Sequence, residues 1–188
     1  PSGKGSATDA SMHSAERRRH NVANAIQRLP MWLSTVVLVL DQIVKMLIRP
    51  RLGLYESIPL IPGFFSLTRI HNTGAAFGLM DGVDFPFKAA VLALVQTTAL
   101  IGLAVYISAI ASDQRLTRTG LALVIGGAAG NLIDRVRFGY VLDFFDFYWR
   151  GWHFWAFNVA DAAISIGVAL MVLEMLGMGR YYRVSRTV

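Results

Sequence analysis

VLDFFDFYWRGWHFWAFNVAD, residues 141–161, sets two aspartates into an otherwise aromatic and apolar run. The pattern predicts Asp143 in an aromatic loop and Asp161 a short way into a long apolar segment. A carboxylate inside a membrane span costs roughly 2.5–3.5 kcal/mol on insertion scales, so its presence there asks for a function. Two carboxylates that can meet cannot both ionise freely, and they share a proton. The question for the rest of the chain is whether its other intramembrane polar groups gather around this pair.

Of the 188 residues, 54% are hydrophobic and 16% charged, and the mean hydropathy is +0.47. Soluble domains carry about 25% charged residues. Apolar runs at 31–48, 87–110, 120–135 and 154–178 predict four spans within one membrane domain, 31–178. The absence of cysteine excludes disulfides, thiol nucleophiles and cysteine-ligated metals. A net charge of +6 raises nucleic acid as a partner. The basic residues flank the apolar runs, however, where orientation and contact with the phospholipid bilayer account for them, and no nucleic acid is expected. Residues 1–11, small and polar, are expected to be a tag remnant ahead of Met12, with basic cytoplasmic segments at 12–30 and 179–188.

Working outward, Asp41 and Lys45 stand at i and i+4 on one face of the first span and can pair inside the bilayer. Turn signals at Pro59, Pro62 and Gly63, followed by a β-rich run to Ile70, predict a small sheet on the membrane surface. His71 then reads as an interfacial loop residue, and the small residues of NTGAAFG, 72–78, suit close approach of backbone to a ligand. In the third span, Gly126, Gly127 and Gly130 fit close helix contact. Close contact leaves Asn131, Asp134 and Arg135, at the end of that span, without a reason. The fold class expected is an all-α integral membrane protein, a four-helix bundle carrying a small extracytoplasmic β-cradle.

Lysines and arginines number ten in the two tails and the 111–119 turn against seven on the opposite side, which favours both termini in the cytoplasm. With ~1.5 Å rise per residue, Asp41 then lies roughly 15 Å up from the inner start of the first span, and Lys45 about 21 Å. Asp161 lies roughly 10 Å below the outer surface on the same arithmetic. Asn131 to Arg135 end an outward span, and Asn72 and Asp143 belong to outer loops. The polar groups therefore converge near the outer leaflet.

Three chemistries fit such a site. Asp143 and Asp146 form a D-x-x-D that could hold Mg²⁺ in a membrane lipid phosphotransferase, with Asp134, Arg135 and Arg137 nearby. A proton-coupled transporter would also place aspartate in a span, but it calls for broken or repeated helices that the chain lacks. With no HExxH and no G-x-S-x-G, the residues themselves favour a two-aspartate hydrolase facing the outer leaflet.

Five blocks in this order, DQIVK (41–45), NTGAAFG (72–78), GGAAGNLIDR (126–135), VLDFFD (141–146) and FNVADAAI (157–164), resemble the bacterial lipoprotein signal peptidase family, signal peptidase II. The resemblance implies an aspartic endopeptidase of the bacterial inner membrane, active as a monomer. Its substrates would be diacylglyceryl prolipoproteins, cleaved just before the lipidated cysteine without metal or cofactor. It implies Asp143 and Asp161 as the catalytic pair, with Asp41, Lys45, Asn72, Gly127, Asn131, Arg135 and Asn158 supporting substrate and dyad. It assigns no role to Asp134 or Asp146.

Overall fold

The computed structural model describes residues 30–74, 87–110 and 114–177. The expected tag remnant, nearly all of 12–30, residues 75–78 of the small-residue block and the 179–188 tail lie outside these residues. Among these residues, four helices and four strands follow in the order α1 (Pro30–Ile48), β1 (Ser57–Ile61), β2 (Phe65–Asn72), α2 (Lys88–Ala109), α3 (Arg115–Phe138), β3 (Val141–Trp149), β4 (Trp152–His153) and α4 (Val159–Met175).

Among the described residues, α1, α2 and α3 are long and apolar enough to cross a membrane. Pro30 opens α1, where its missing N–H costs nothing. Beyond Lys88 at its start, no residue of the most apolar stretch of α2, up to Tyr106, is buried in the protein. That is the mark of a helix surrounded largely by lipid rather than by neighbours. The third helix is the centre of the molecule. It runs well beyond the expected 120–135, because its polar first turn (Arg115 to Thr119) is still helical, and it ends at Gly139 in a left-handed cap whose N–H returns to the Arg135 carbonyl.

Small residues set how closely the helices lie against α3. A side-chain carbon on Gly120 would strike the Gly167 carbonyl of α4, and one on Gly167 would strike the Gly120 carbonyl. Gly127 sits in the same way against Ala160, Gly126 against the Ser34 backbone of α1, and Gly130 against the Asp41 carboxylate. Backbones that approach this closely fix helix register through van der Waals contact, which in a lipid environment is a principal source of association.

Two sequence expectations require correction. The chain is mostly helical with a small sheet, as expected, but the sheet takes in residues read as loop: β1–β2–β3–β4 form a four-stranded antiparallel sheet. Its largest strand, β3, contains Asp143, which had been expected in a loop. Asn72, also expected in a loop, ends β2 and lies opposite Val141, while His71 lies within β2 and stacks on Tyr140 at 3.6 Å between ring centroids. Phe65, Phe145, Phe147 and Phe157 stack across the sheet, and Phe157 bridges back to Phe145 as extended chain.

That bridge bears on the second correction. The fourth helix begins at Val159, not near 154, and has 17 residues. Asp161 therefore stands in its first turn rather than roughly 10 Å along it. Asn158 caps the helix: its side chain accepts from the Asp161 amide at 2.9 Å, while the Asp161 carboxylate accepts from the Asn158 amide at 3.2 Å. This reciprocal capping box is worth about 0.5–2 kcal/mol and specifies where the helix starts.

Candidate active site

Asp143 and Asp161 line one cavity of about 680 Å³, with walls from α2, α3, α4 and the sheet. Asp143 comes from the paired stretch of β3, opposite Ile70 of β2. Its Oδ2 accepts from Asn72 Nδ2 at 2.9 Å and its Oδ1 from Asn158 Nδ2 at 2.6 Å. Asp161 accepts from Asn131 Nδ2 at 2.8 Å as well as from the Asn158 amide. Asn158 thus touches both carboxylates, one through its side chain and one through its backbone. Asn131 joins the same net by accepting a 3.2 Å bond from Asn158 Nδ2.

Beneath this layer lies a cluster of buried charge. Lys45 is 1% exposed, and Asp41 and Asp134 are 0% exposed. The Lys45 ammonium spends its three protons on Asp41 Oδ2 at 2.8 Å, Asp134 Oδ2 at 3.0 Å and Asn131 Oδ1 at 2.9 Å. Each carboxylate of the cluster also holds a backbone amide. Asp41 Oδ1 accepts from Ala160 N at 3.0 Å, and Asp134 Oδ2 accepts from Leu142 N at 3.1 Å. Ala160 and Leu142 are the residues immediately before Asp161 and Asp143. One ammonium therefore joins the two anchors from which the two site aspartates are presented.

The expected Asp41–Lys45 pair is present, but it is one edge of a larger cluster. Asp134, to which the family resemblance assigned no role, completes that cluster, with Arg49 on its other oxygen at 3.4 Å. Asp146 does not join the site. A strand turns alternate side chains to opposite faces, so residues three apart diverge. Asp146 instead receives His153 Nδ1 at 3.0 Å. The D-x-x-D arrangement that could have held Mg²⁺ is thereby split across the sheet. Gly127 packs against Ala160 of α4.

Arg135 lines the cavity, but its hydrogen bonds run to Gln96 Oε1 at 3.0 Å and to the Gly74 carbonyl at 2.8 Å. Gln96 on α2 went unrecognised in the sequence. Its available signal was an uncharged polar side chain in the middle of the most uniformly apolar span. It donates to the Ala128 carbonyl at 2.8 Å, so its oxygen is left for Arg135.

Burial drives the Asp143 carboxyl up to about 7, and the Asp161 carboxylate adds to that rise. The hydrogen bonds from Asn72 and Asn158 and the charge of Lys45 act in the opposite sense. Asp161 has a different set of partners, in the first turn of α4, where it accepts from the Asn158 amide and from Asn131. Two carboxyl groups in one cavity but in unlike surroundings can divide the work of an acid and a base.

Comparison with known proteins points to one family. The family model described as Signal peptidase (SPase) II matches residues 33–177. The lipoprotein signal peptidase of Geobacter metallireducens is 47% identical over 146 residues, covering 77% of this chain and 88% of the relative. That of Geobacter sulfurreducens is 49% identical over 139 residues, covering 74% and 86%. A bacterial membrane enzyme solved by the in meso method at 2.3 Å superposes with a TM-score of 0.71 at 30% identity, over 79% of this chain and 88% of that one.

Proposed function

Given that the chain belongs to the signal peptidase II family, we propose that Asp143 and Asp161 are the proton-sharing pair with which it removes signal peptides from prolipoproteins. The family's activity makes it a peptide-bond hydrolase of the membrane. The observation that carries the site assignment is the placement of both carboxylates on one cavity, linked through Asn158 and Asn131.

Asp161, ionised, takes a proton from a water as its oxygen attacks the scissile carbonyl carbon. Asp143, with its carboxyl near 7, starts protonated and hydrogen-bonds the carbonyl oxygen. As the tetrahedral intermediate collapses, the C–N bond breaks and the amine leaves with a proton from the pair. Asn72, Asn131 and Asn158 hold the two carboxylates in place. Lys45 supplies positive charge nearby without touching the reacting atoms.

The substrate class follows from the same reading. A diacylglyceryl group on the cysteine after the scissile bond keeps that bond at the membrane boundary. There the aspartates stand at the start of α4 and on the adjoining sheet. We place the cradle and the dyad at the outer face of the bacterial inner membrane, with both termini in the cytoplasm and one chain sufficient for activity. In this arrangement α4 is the fourth span. Its 17 residues reach ~26 Å, close to the ~30 Å hydrocarbon thickness once the flanking residues are added.

The test is processing of a purified diacylglyceryl prolipoprotein with EDTA present. Wild-type protein is expected to cleave it. Asp143→Asn and Asp161→Asn should each be inactive while still folded, and the double variant scarcely worse than either single one. A folded single variant that cleaves near the wild-type rate would remove the assignment, and rescue of chelated wild type by Mg²⁺ would favour metal chemistry instead.

A further inference from the structure

Four hydrogen bonds run in series from the lipid-exposed helix α2 to a catalytic carboxylate. Gln96 Oε1 accepts from Arg135 Nη1 at 3.0 Å, and Arg135 Nη2 donates to the Gly74 carbonyl at 2.8 Å. The Gly74 amide donates to Asn72 Oδ1 at 2.9 Å, and Asn72 Nδ2 donates to Asp143 Oδ2 at 2.9 Å.

Each amide side chain in the series has its orientation fixed by a second partner. Gln96 must aim its nitrogen at the Ala128 carbonyl, so only its oxygen can face Arg135. Asn72 must aim its oxygen at the Gly74 amide, so only its nitrogen can face Asp143. A flip at either position would set donor against donor, or acceptor against acceptor, at two contacts. The series therefore admits one set of side-chain orientations, with Arg135 donating to Gln96 on one side and to the Gly74 carbonyl on the other.

Resting on the peptidase reading, we propose that Gln96 is a positioning residue: through Arg135, Gly74 and Asn72 it fixes the orientation in which Asp143 meets the substrate. Gln96 belongs to none of the five sequence blocks that carry the family resemblance. It reaches Asp143 only through other side chains, so its loss should disturb the chemical step rather than substrate binding. Asn72 favours the ionised form of Asp143, and weakening that bond leaves the carboxyl protonated to higher pH. The other charged groups acting on Asp143 are Asp161 from α4, Lys45 from α1 and Arg135 from α3. A substitution at Gln96 leaves all three in place.

The experiment uses full-length protein and a diacylglyceryl prolipoprotein, measuring kcat, KM and the pH profile. For Gln96→Met we expect kcat to fall roughly three- to tenfold, the scale of one lost hydrogen bond, with KM unchanged. The descending limb of the profile should move up by about half a unit to one unit. Combined with Asn72→Ala, Gln96→Met should add almost nothing, since both break the same series. A raised KM with kcat kept, or full additivity with Asn72→Ala, would overturn the proposal. If Gln96→Met does not fold, Gln96→Leu decides: it also removes the acceptor for Arg135, so the same roughly three- to tenfold fall in kcat with KM unchanged is expected. A raised KM with kcat kept in folded Gln96→Leu overturns it. Wild-type protein inactive on this substrate would sink the peptidase reading, and this proposal with it.

Discussion

Replacing Lys45 by Met keeps the length of the side chain and removes its charge from the buried cluster. The two carboxylates it joins respond differently. Asp134 retains Arg49, at 3.4 Å, and the Leu142 amide. Asp41 retains only neutral donors, Gln42 at 3.2 Å and the Ala160 amide at 3.0 Å. Removing one partner of a buried ion pair typically costs about 3–5 kcal/mol, because the remaining charge is left uncompensated. We expect Lys45→Met to lose that amount, a large share of the ~5–15 kcal/mol total of an ordinary protein.

Adding Asp41→Asn should return part of the loss, since the Asn oxygen can still accept from Ala160 while the orphan charge disappears. Asp41→Asn alone should be milder than Lys45→Met, because Lys45 keeps Asp134 and Asn131. Denaturant unfolding in detergent micelles, followed by far-UV circular dichroism, gives all three differences. A cost for Lys45→Met below about 1 kcal/mol would refute the reasoning. So would a double variant less stable than Lys45→Met by the full cost of Asp41→Asn.

Asp143→Asn should change how stability depends on pH. Below pH 3.8 the carboxyl is protonated in both folded and unfolded chains and has no effect. Between 3.8 and about 7 the unfolded chain releases its proton while the folded one keeps it, so wild-type stability falls as pH rises, by on the order of 4 kcal/mol in all. Asp143→Asn should thus gain on wild type from pH 4 to pH 8 in thermal melts, and a constant difference would count against the raised carboxyl. For topology, single cysteines at Arg150 and Gln114 should react oppositely with an impermeant thiol reagent applied outside intact cells, with Arg150→Cys labelled and Gln114→Cys protected. The reverse pattern would invert the orientation.

The first two helices were legible almost to the residue, 31–48 against Pro30–Ile48 and 87–110 against Lys88–Ala109. Composition alone marks a helix that crosses lipid. The same measure misled at 154–157, where Phe154, Trp155 and Phe157 are apolar but belong to the chain bridging to the sheet. The better signal there was Asn158 followed by an acid three residues later, the pattern of a helix start. Strand β3 escaped because its first four residues are all buried, so no alternation of apolar and polar positions appears. The sequence picked out Asp143 and Asp161 as residues that could meet, and the structure sets both on one cavity, with Asn72, Asn131 and Asn158, named through the family resemblance, hydrogen-bonded to them. The contacts of Asp134 and Gln96 were not legible. Each depends on which long-range partner it meets, and sequence spacing holds no record of that.

Lys45 also raises a matter of timing. Its partner Asn131 lies 86 residues further along the chain. At ~5–20 residues synthesised per second, the ammonium must wait roughly 4–17 s for that partner to exist. Throughout that interval Asp41, one turn earlier on the same helix, is the counterion already at hand. The short-range pair seen at 2.8 Å is therefore the arrangement in which α1 can enter the bilayer first, before α3 arrives to enlarge it.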